Sequence, residues 1–126
     1  MGVYGIGVDI VEVKRIKNAI KKNSGFLKRV YTACEIDYCR SKKKGKYESF
    51  SARFAAKEAV AKSIRTGFGG NISFNEIEMD KMDSGLPYVK LYGRTENYIK
   101  KLKIKEIKIS ISATENYAVA YAIAII

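Results

Sequence analysis

The last stretch of the chain, Tyr117 to Ile125, alternates with period two. Ala118, Ala120, Ala122 and Ala124 fall on one side, and Tyr117, Val119, Tyr121, Ile123 and Ile125 on the other. Period two marks a β-strand, and apolar residues on both faces mean that both faces are covered. Four alanines in a row let a neighbour approach closely: a helix of the same chain or a second copy of it. The segment 47–65 is the strongest helical stretch, with Ala52, Ala55, Ala56, Ala59 and Ala61, all good helix formers with small side chains. A strand that demands close cover and a long alanine-rich helix point to an α+β architecture.

The remaining elements follow from local signals. Val3 to Asp9 reads as a strand in which Gly5, Gly7 and Asp9 share one face, the glycines marking close approach of another backbone. Glu12 to Lys22 has Val13, Ile16 and Ile20 at helical spacing. Phe26 to Tyr31 is a short helix. Thr32 and Glu35 form a capping box for a helix to about Cys39. Lys42 to Lys46 reads as a solvated loop, and Gly67 as the C-cap of the long helix. Glu76 to Lys81, Tyr88 to Tyr92 and Glu106 to Ser112 read as strands, and Arg94 to Leu102 as an amphipathic helix. No repeat, linker or low-complexity tract divides the 126 residues, so residues 1–126 read as a single domain.

Composition excludes several chemistries. There is no histidine, hence no Ser-His-Asp triad, Cys-His dyad or histidine metal site. The two cysteines, Cys34 and Cys39, are too few for a thiolate zinc site and are not spaced as Cys-x2-Cys. Two free thiols without a disulfide framework fit a reducing, cytoplasmic setting. No targeting, myristoylation or membrane-spanning signal is expected. The net charge is +11, and it is uneven: residues 1–65 carry +10 and residues 66–126 carry +1. Such a basic half suits an acidic partner, whether nucleic acid, an anionic surface, a polyanionic ligand or an acidic protein.

Two positions carry candidate chemistry. On the 47–65 helix, Ser51, Phe54, Lys62 and Arg65 lie within about 40° of Glu58 at about 100° per residue. Glu58 and Lys62 are either an exposed i,i+4 ion pair or a metal carboxylate with a phosphate-binding lysine on one ridge. Asp9, at the end of an otherwise apolar strand, is either a helix cap or a second metal carboxylate. Two carboxylates from separate elements amid cations suit Mg²⁺, which takes one or two carboxylates plus waters and substrate phosphates. The Thr66 to Gly70 loop follows a helix rather than preceding one, so it is no P-loop.

Gly5-Ile6-Gly7-Val8-Asp9-Ile10-Val11-Glu12-Val13-Lys14-Arg15-Ile16 resembles the N-terminal signature of holo-(acyl carrier protein) synthases. Arg53-Phe54-Ala55-Ala56-Lys57-Glu58-Ala59-Val60-Ala61-Lys62 resembles their second signature. Thr66-Gly67, Gly85-Leu86-Pro87 and Ser110-Ile111-Ser112…Tyr117-Ala118 follow in order, so the likeness covers nearly the whole chain. It implies a 4′-phosphopantetheinyl transferase-like fold: an antiparallel sheet packed against a long helix, with an N-terminal helical segment. The implied activity moves 4′-phosphopantetheine from coenzyme A to a serine of apo acyl carrier protein, releasing adenosine 3′,5′-bisphosphate, in support of fatty acid synthesis.

By the same resemblance Asp9 and Glu58 bind Mg²⁺. Glu58 takes the serine proton, directly or through a metal-held water. Lys62 holds the pyrophosphate and protonates the leaving phosphate. Arg53 and Lys44 meet the 3′-phosphate, and Gly67, Pro87 and Ser112 line the coenzyme A site. Lys14, Arg15, Lys21 and Lys22 dock the acidic acyl carrier protein. The family acts as a trimer with coenzyme A between neighbouring subunits, which offers the alanine-faced strand a use. One position departs: the family usually has histidine after Ser-Ile-Ser, and this chain has Ala113, a change that bears on rate more than on reaction class. Ser112 and Thr114 are candidate replacement donors. The competing reading is a small basic nucleic-acid-binding protein, but no aromatics interleave with Lys42 to Lys46 and no nucleic-acid-binding signature is present. A membrane-surface module is disfavoured by the weak apolar face of residues 12–22.

Overall fold

The computed structural model describes residues 2–126. Strand β1 (Val3–Glu12) leads into helix α1 (Val13–Lys22), followed by α2 (Phe26–Val30), α3 (Ala33–Ser41) and the long α4 (Lys46–Ser63). A hairpin of β2 (Ile77–Lys81) and β3 (Pro87–Leu91), helix α5 (Gly93–Lys101) and the strands β4 (Glu106–Ala113) and β5 (Tyr117–Ile125) complete the chain. The main sheet is antiparallel in the order β1-β5-β4, and β2-β3 form a separate two-stranded ribbon.

The sheet lies directly on α4. Ala118, Ala120, Ala122 and Ala124 of β5 are at most 1% exposed, as are Ala55, Ala56 and Ala59 of α4. Small side chains on both surfaces bring helix and strand backbones together. β1 comes closer still. A Cβ at Gly5 would strike the Ser63 carbonyl, and one at Gly7 would strike the Ala59 carbonyl and lie 2.8 Å from Lys62 Cβ. Glycine at these two positions is therefore a packing requirement.

The alanine face is thus spent on a helix of the same chain. It is not available as a subunit contact. The opposite face is open in the subunit: Ile6, Val8 and Ile10 of β1 are 58%, 53% and 65% exposed, beside exposed Tyr117, Val119 and Tyr121 of β5. Register sets these residues side by side, with Val8 opposite Tyr121 and Ile10 opposite Val119. The expected cover on both faces holds for one face of the subunit only.

Several boundaries move. β1 continues to Glu12, so Asp9 lies inside the strand opposite Ala120 rather than at its end. Asp9 does not cap α1, whose N-cap residue is Glu12 without a side-chain bond. α4 ends before Gly67. Its left-handed residue is Arg65, at φ +63°, with Thr66 N–H donating to the Ala61 carbonyl and Arg65 N–H to that of Lys62, a Schellman closure. The Arg65 guanidinium also donates to the Tyr4 carbonyl at 2.6 Å, tying the end of α4 to β1. The capping box of α3 forms in full: Thr32 Oγ1 accepts from Glu35 N–H, and Glu35 Oε1 accepts from Thr32 N–H. Among the described residues no helix is long and apolar enough to cross a membrane.

Candidate active site

Where β1 crosses α4, Asp9 projects from the same face of the strand as Gly7, toward the ridge carrying Glu58 and Lys62. Lys62 Nζ lies 3.3 Å from Asp9 Oδ1 and donates to the Val8 carbonyl at 2.8 Å. The expected i,i+4 pair between Glu58 and Lys62 is replaced by this cross-element contact. Glu58 is half-buried. Its carboxyl is pushed above the usual range by burial and then by the negative charge of Asp9, against the opposing pull of Lys62 and Arg15. Asp9, Glu58, Lys62 and Arg15 thus form one electrostatic group drawn from β1, α4 and α1.

This group fits a hard divalent cation. Two oxygen donors from different elements repel each other, and a cation between them relieves that repulsion. Among the described residues there is no group of three or more potential ligands from His, Cys, Asp and Glu. The remaining coordination would come from water and substrate oxygens, which is the habit of Mg²⁺.

A second group lies on another side of α4. Arg53 and Glu58 are about 140° apart around the helix. Arg53 lines a cleft of about 450 Å³ together with Tyr38 and Lys42, and with Lys81, Pro87 and Ala113 from the strands. Arg53 is only 8% exposed; its Nη1 donates to Ser49 Oγ at 2.9 Å, and its buried Nε has no partner among the described residues. Lys81 Nζ donates to the Tyr38 hydroxyl at 2.6 Å. The Arg53 guanidinium and Lys42 Nζ stand 4.4 and 4.7 Å from the centre of the Tyr38 ring. Partial burial pushes the Tyr38 hydroxyl up, but its hydrogen bonds with Lys81 and Lys42 and their charges outweigh this and bring it below the usual phenol range.

Of the other expected site residues, Pro87 is in this cleft, whereas Lys44 sits on an exposed turn outside it and Lys42 lines it instead. Gly67 stands in open space beyond the end of α4. Ser112 pairs with Val119 and shares its outer face, while Ile111 and Ala113 face the cleft. Thr114 is used within the hairpin: its Oγ1 accepts from Tyr117 N–H at 3.1 Å. Lys14, Arg15, Lys21 and Lys22 are all exposed on α1, with Lys21 Nζ 6.0 Å from the Tyr47 ring.

Sequence reasoning passed over Tyr38, Lys42 and Lys81, which carry no motif. It also passed over Lys57, which is wholly buried. Lys57 Nζ lies 2.8 Å from Glu35 Oε1 and donates to the carbonyls of Phe74 (2.9 Å) and Ile77. A signal was present: Lys57 falls one helical turn from Arg53 and on the side of α4 that carries Val60, Ala61 and Ile64, where a charge requires a buried partner.

The chain is thus an antiparallel sheet on one long helix, with two carboxylates and a lysine on one side of the helix and a cation-lined cleft on another. A family model for the 4′-phosphopantetheinyl transferase superfamily matches residues 5–122. The chain is 50% identical over 120 residues to the holo-[acyl-carrier-protein] synthase of Ruminiclostridium cellulolyticum, covering 94% of this chain and 89% of that protein. The crystal structure of the Neisseria meningitidis holo-[acyl-carrier-protein] synthase superposes with a TM-score of 0.88 at 31% identity, covering 98% of both chains. That of the Helicobacter pylori enzyme in complex with coenzyme A gives 0.81 at 31%, covering 94% of this chain and 98% of that one. This chain belongs to the 4′-phosphopantetheinyl transferase superfamily, among the holo-acyl-carrier-protein synthases. The nucleic-acid-binding alternative is left without support.

Proposed function

We infer that this protein transfers 4′-phosphopantetheine from coenzyme A to the serine of an apo acyl carrier protein, giving the holo carrier and adenosine 3′,5′-bisphosphate. The observation that carries the reading is the convergence of Asp9, Glu58 and Lys62 where β1 crosses α4. Asp9 and Glu58 would hold Mg²⁺. Bound there, the ion would neutralise the pyrophosphate and polarise the attacked phosphorus. Glu58, with its raised carboxyl pKa, is suited to take the serine proton as the hydroxyl attacks. Lys62, half-exposed and held among the described residues by Asp9 and one carbonyl, is free to bind the pyrophosphate and give a proton to the leaving phosphate. Both act chiefly by positioning charge, as is usual in phosphoryl transfer.

Arg53 belongs to the end of the ligand that carries the 3′-phosphate. Because Arg53 and Glu58 face different sides of α4, a ligand that bridges two neighbouring subunits satisfies both groups. This supports a homotrimer with coenzyme A at the subunit boundary. The open apolar face of β1 and β5 is a second support, since exposed apolar patches of this kind mark interaction sites. Lys14, Arg15, Lys21 and Lys22 present positive charge to the acidic carrier protein, and Arg15 lies near enough to act on Glu58. Free Cys34 and Cys39 agree with a cytoplasmic setting.

The test is the intact mass of an apo acyl carrier protein incubated with this protein, coenzyme A and Mg²⁺. A phosphopantetheine increment is expected, and it should vanish with chelator or with Glu58→Gln. An increment that survives both would remove the metal and Glu58 from the reaction. No increment, together with binding of an oligonucleotide, would return the basic half of the chain to nucleic acid.

A further inference from the structure

The two sheets of the subunit lie edge to edge without joining. β3 runs alongside β4 in the opposite direction. A cavity of about 280 Å³, lined by Val89, Leu91 and Lys105, separates them at one end, and one of about 240 Å³, lined by Leu86, Pro87 and Ile109, at the other. Among the described residues no backbone hydrogen bond joins the two strands. The ladders show what each strand holds toward the other. Met82 N–H donates to the Leu86 carbonyl and Tyr92 N–H to that of Glu76, so the residues of β3 that bond to β2 are Tyr88 and Lys90. The N–H and C=O of Val89 and the carbonyl of Pro87 therefore point away from β2, toward β4. Thr114 N–H donates to the Tyr117 carbonyl, which sets Ser110 and Lys108 against β5 and turns the N–H and C=O groups of Ile107 and Ile109 toward β3.

The two edges also match in pleat. Val89, Leu91, Ile107 and Ile109 pack on the core, whereas Lys90, Lys108 and Ser110 are exposed. Bringing β3 onto β4 sets Val89 against Ile107 and Pro87 against Ile109, with every side chain on its present face. Pro87 has no N–H, so the joined ladder ends there. The larger cavity is walled by Leu91, Ile99, Ile104 and Ile107, and closing it removes apolar surface from water.

The same gap continues into the cleft beside Arg53. Lys81 and Pro87 line that cleft from the ribbon, Ile111 and Ala113 from β4, and Arg53 from α4. Lys81 and Arg53 carry like charge on different walls, which holds the walls apart; an anionic ligand between them draws both inward. β2 is the fixed member of the ribbon. The Ile77 carbonyl accepts from buried Lys57, and Met79 N–H donates to Glu35 Oε2 at 2.8 Å. Movement is left to β3 and to the turn after Lys81.

Resting on the transferase reading, we propose that β3 closes onto β4 when coenzyme A occupies the cleft, joining ribbon and sheet into one five-stranded antiparallel sheet. The joined edge is a clamp: it forms around bound ligand and opens for release.

The experiment is residue-resolved amide hydrogen exchange of the wild-type protein, with and without saturating coenzyme A. The amides of Val89, Ile107 and Ile109 should exchange as unpaired groups without ligand and at least tenfold more slowly with it. Those of Tyr88 and Lys90, already spent on β2, should keep their rates. A disulfide trap reads the same closure. In a Cys34→Ser background, Val89→Cys with Ile107→Cys should oxidise about tenfold faster with coenzyme A present, because paired strands bring the two Cα atoms to about 5.5 Å, within disulfide range. Unchanged exchange at Val89, Ile107 and Ile109 while calorimetry shows coenzyme A bound would overturn the clamp and leave the transferase reading standing. So would protection of these amides before ligand is added, or equal slowing of all five. If wild type neither binds coenzyme A nor modifies an apo acyl carrier protein, the transferase reading fails and the clamp fails with it.

Discussion

Lys57 and Lys62 stand five residues apart on the same helix and do opposite things. Lys57 is wholly buried, paired with Glu35 at 2.8 Å and bonded to two carbonyls. Glu35 is equally occupied, accepting from Thr32 N–H and Met79 N–H. Burial pulls the Lys57 ammonium below the usual lysine range, against the opposing pull of Glu35. Lys62 is about half exposed, with one 3.3 Å contact to Asp9 and one carbonyl. The first charge is closed: every donor is spent on locking α3, α4 and the start of β2 together. The second leaves about half of its side chain in solvent.

The contrast can be broken at either end. The largest effect is expected from Lys57→Met, which strands the Glu35 carboxylate in the interior and should cost about 3–5 kcal/mol of stability in urea unfolding. Adding Glu35→Gln should recover part of that loss, because the side-chain oxygen still accepts one backbone bond without carrying charge. Lys62→Met should do the reverse: transfer to the carrier protein falls about 10²–10³-fold in steady-state assays, with the urea midpoint unchanged. If Lys62→Met unfolds the protein while Lys57→Met leaves it stable and inactive, the two roles are exchanged.

Smaller effects sharpen the same division. Gly7→Ala should cost about 1–3 kcal/mol, since the added methyl meets the Ala59 carbonyl and forces β1 off α4. Because Glu58 titrates higher in the folded chain than in the unfolded one, its contribution to stability is complete at acid pH and is lost as pH rises through the folded value. In metal-free protein, Glu58→Gln should therefore raise Tm at neutral pH, with the gap to wild type closing below about pH 4. The smallest expected change is for Arg15→Ala, whose effect on association with the carrier protein should amount to a few-fold in on-rate and fade as salt is raised.

What could be read in advance depended on how local the cause was. The alternation of β5, the capping box at Thr32 and the helical spacing of α4 are set within a few residues and stand where the pattern put them. Asp9 was marked by being polar in apolar company, Glu58 and Lys62 by sharing one ridge of the helix, and the fold brings the three near one another. The closing residue of α4 escaped, because a left-handed arginine was held there by a bond to Tyr4 sixty-one residues away. Arg53 and Pro87 of the cleft were named by the resemblance, but its other cations escaped for the same reason. Tyr38, Lys42 and Lys81 are ordinary surface residues in sequence, and only the packing of α3 against β2 makes them neighbours.

The backbone contact between β1 and α4 also bears on motion. No side-chain layer separates Gly7 from Ala59, so Asp9 and Glu58 are carried by two backbones in direct touch and travel as a single rigid block. Any opening and closing that accompanies turnover is then expected elsewhere, in the hairpin around Gly85, where Met82 to Leu86 stand clear of the core. The two carboxylates of the proposed site behave as its anvil, set by backbone packing.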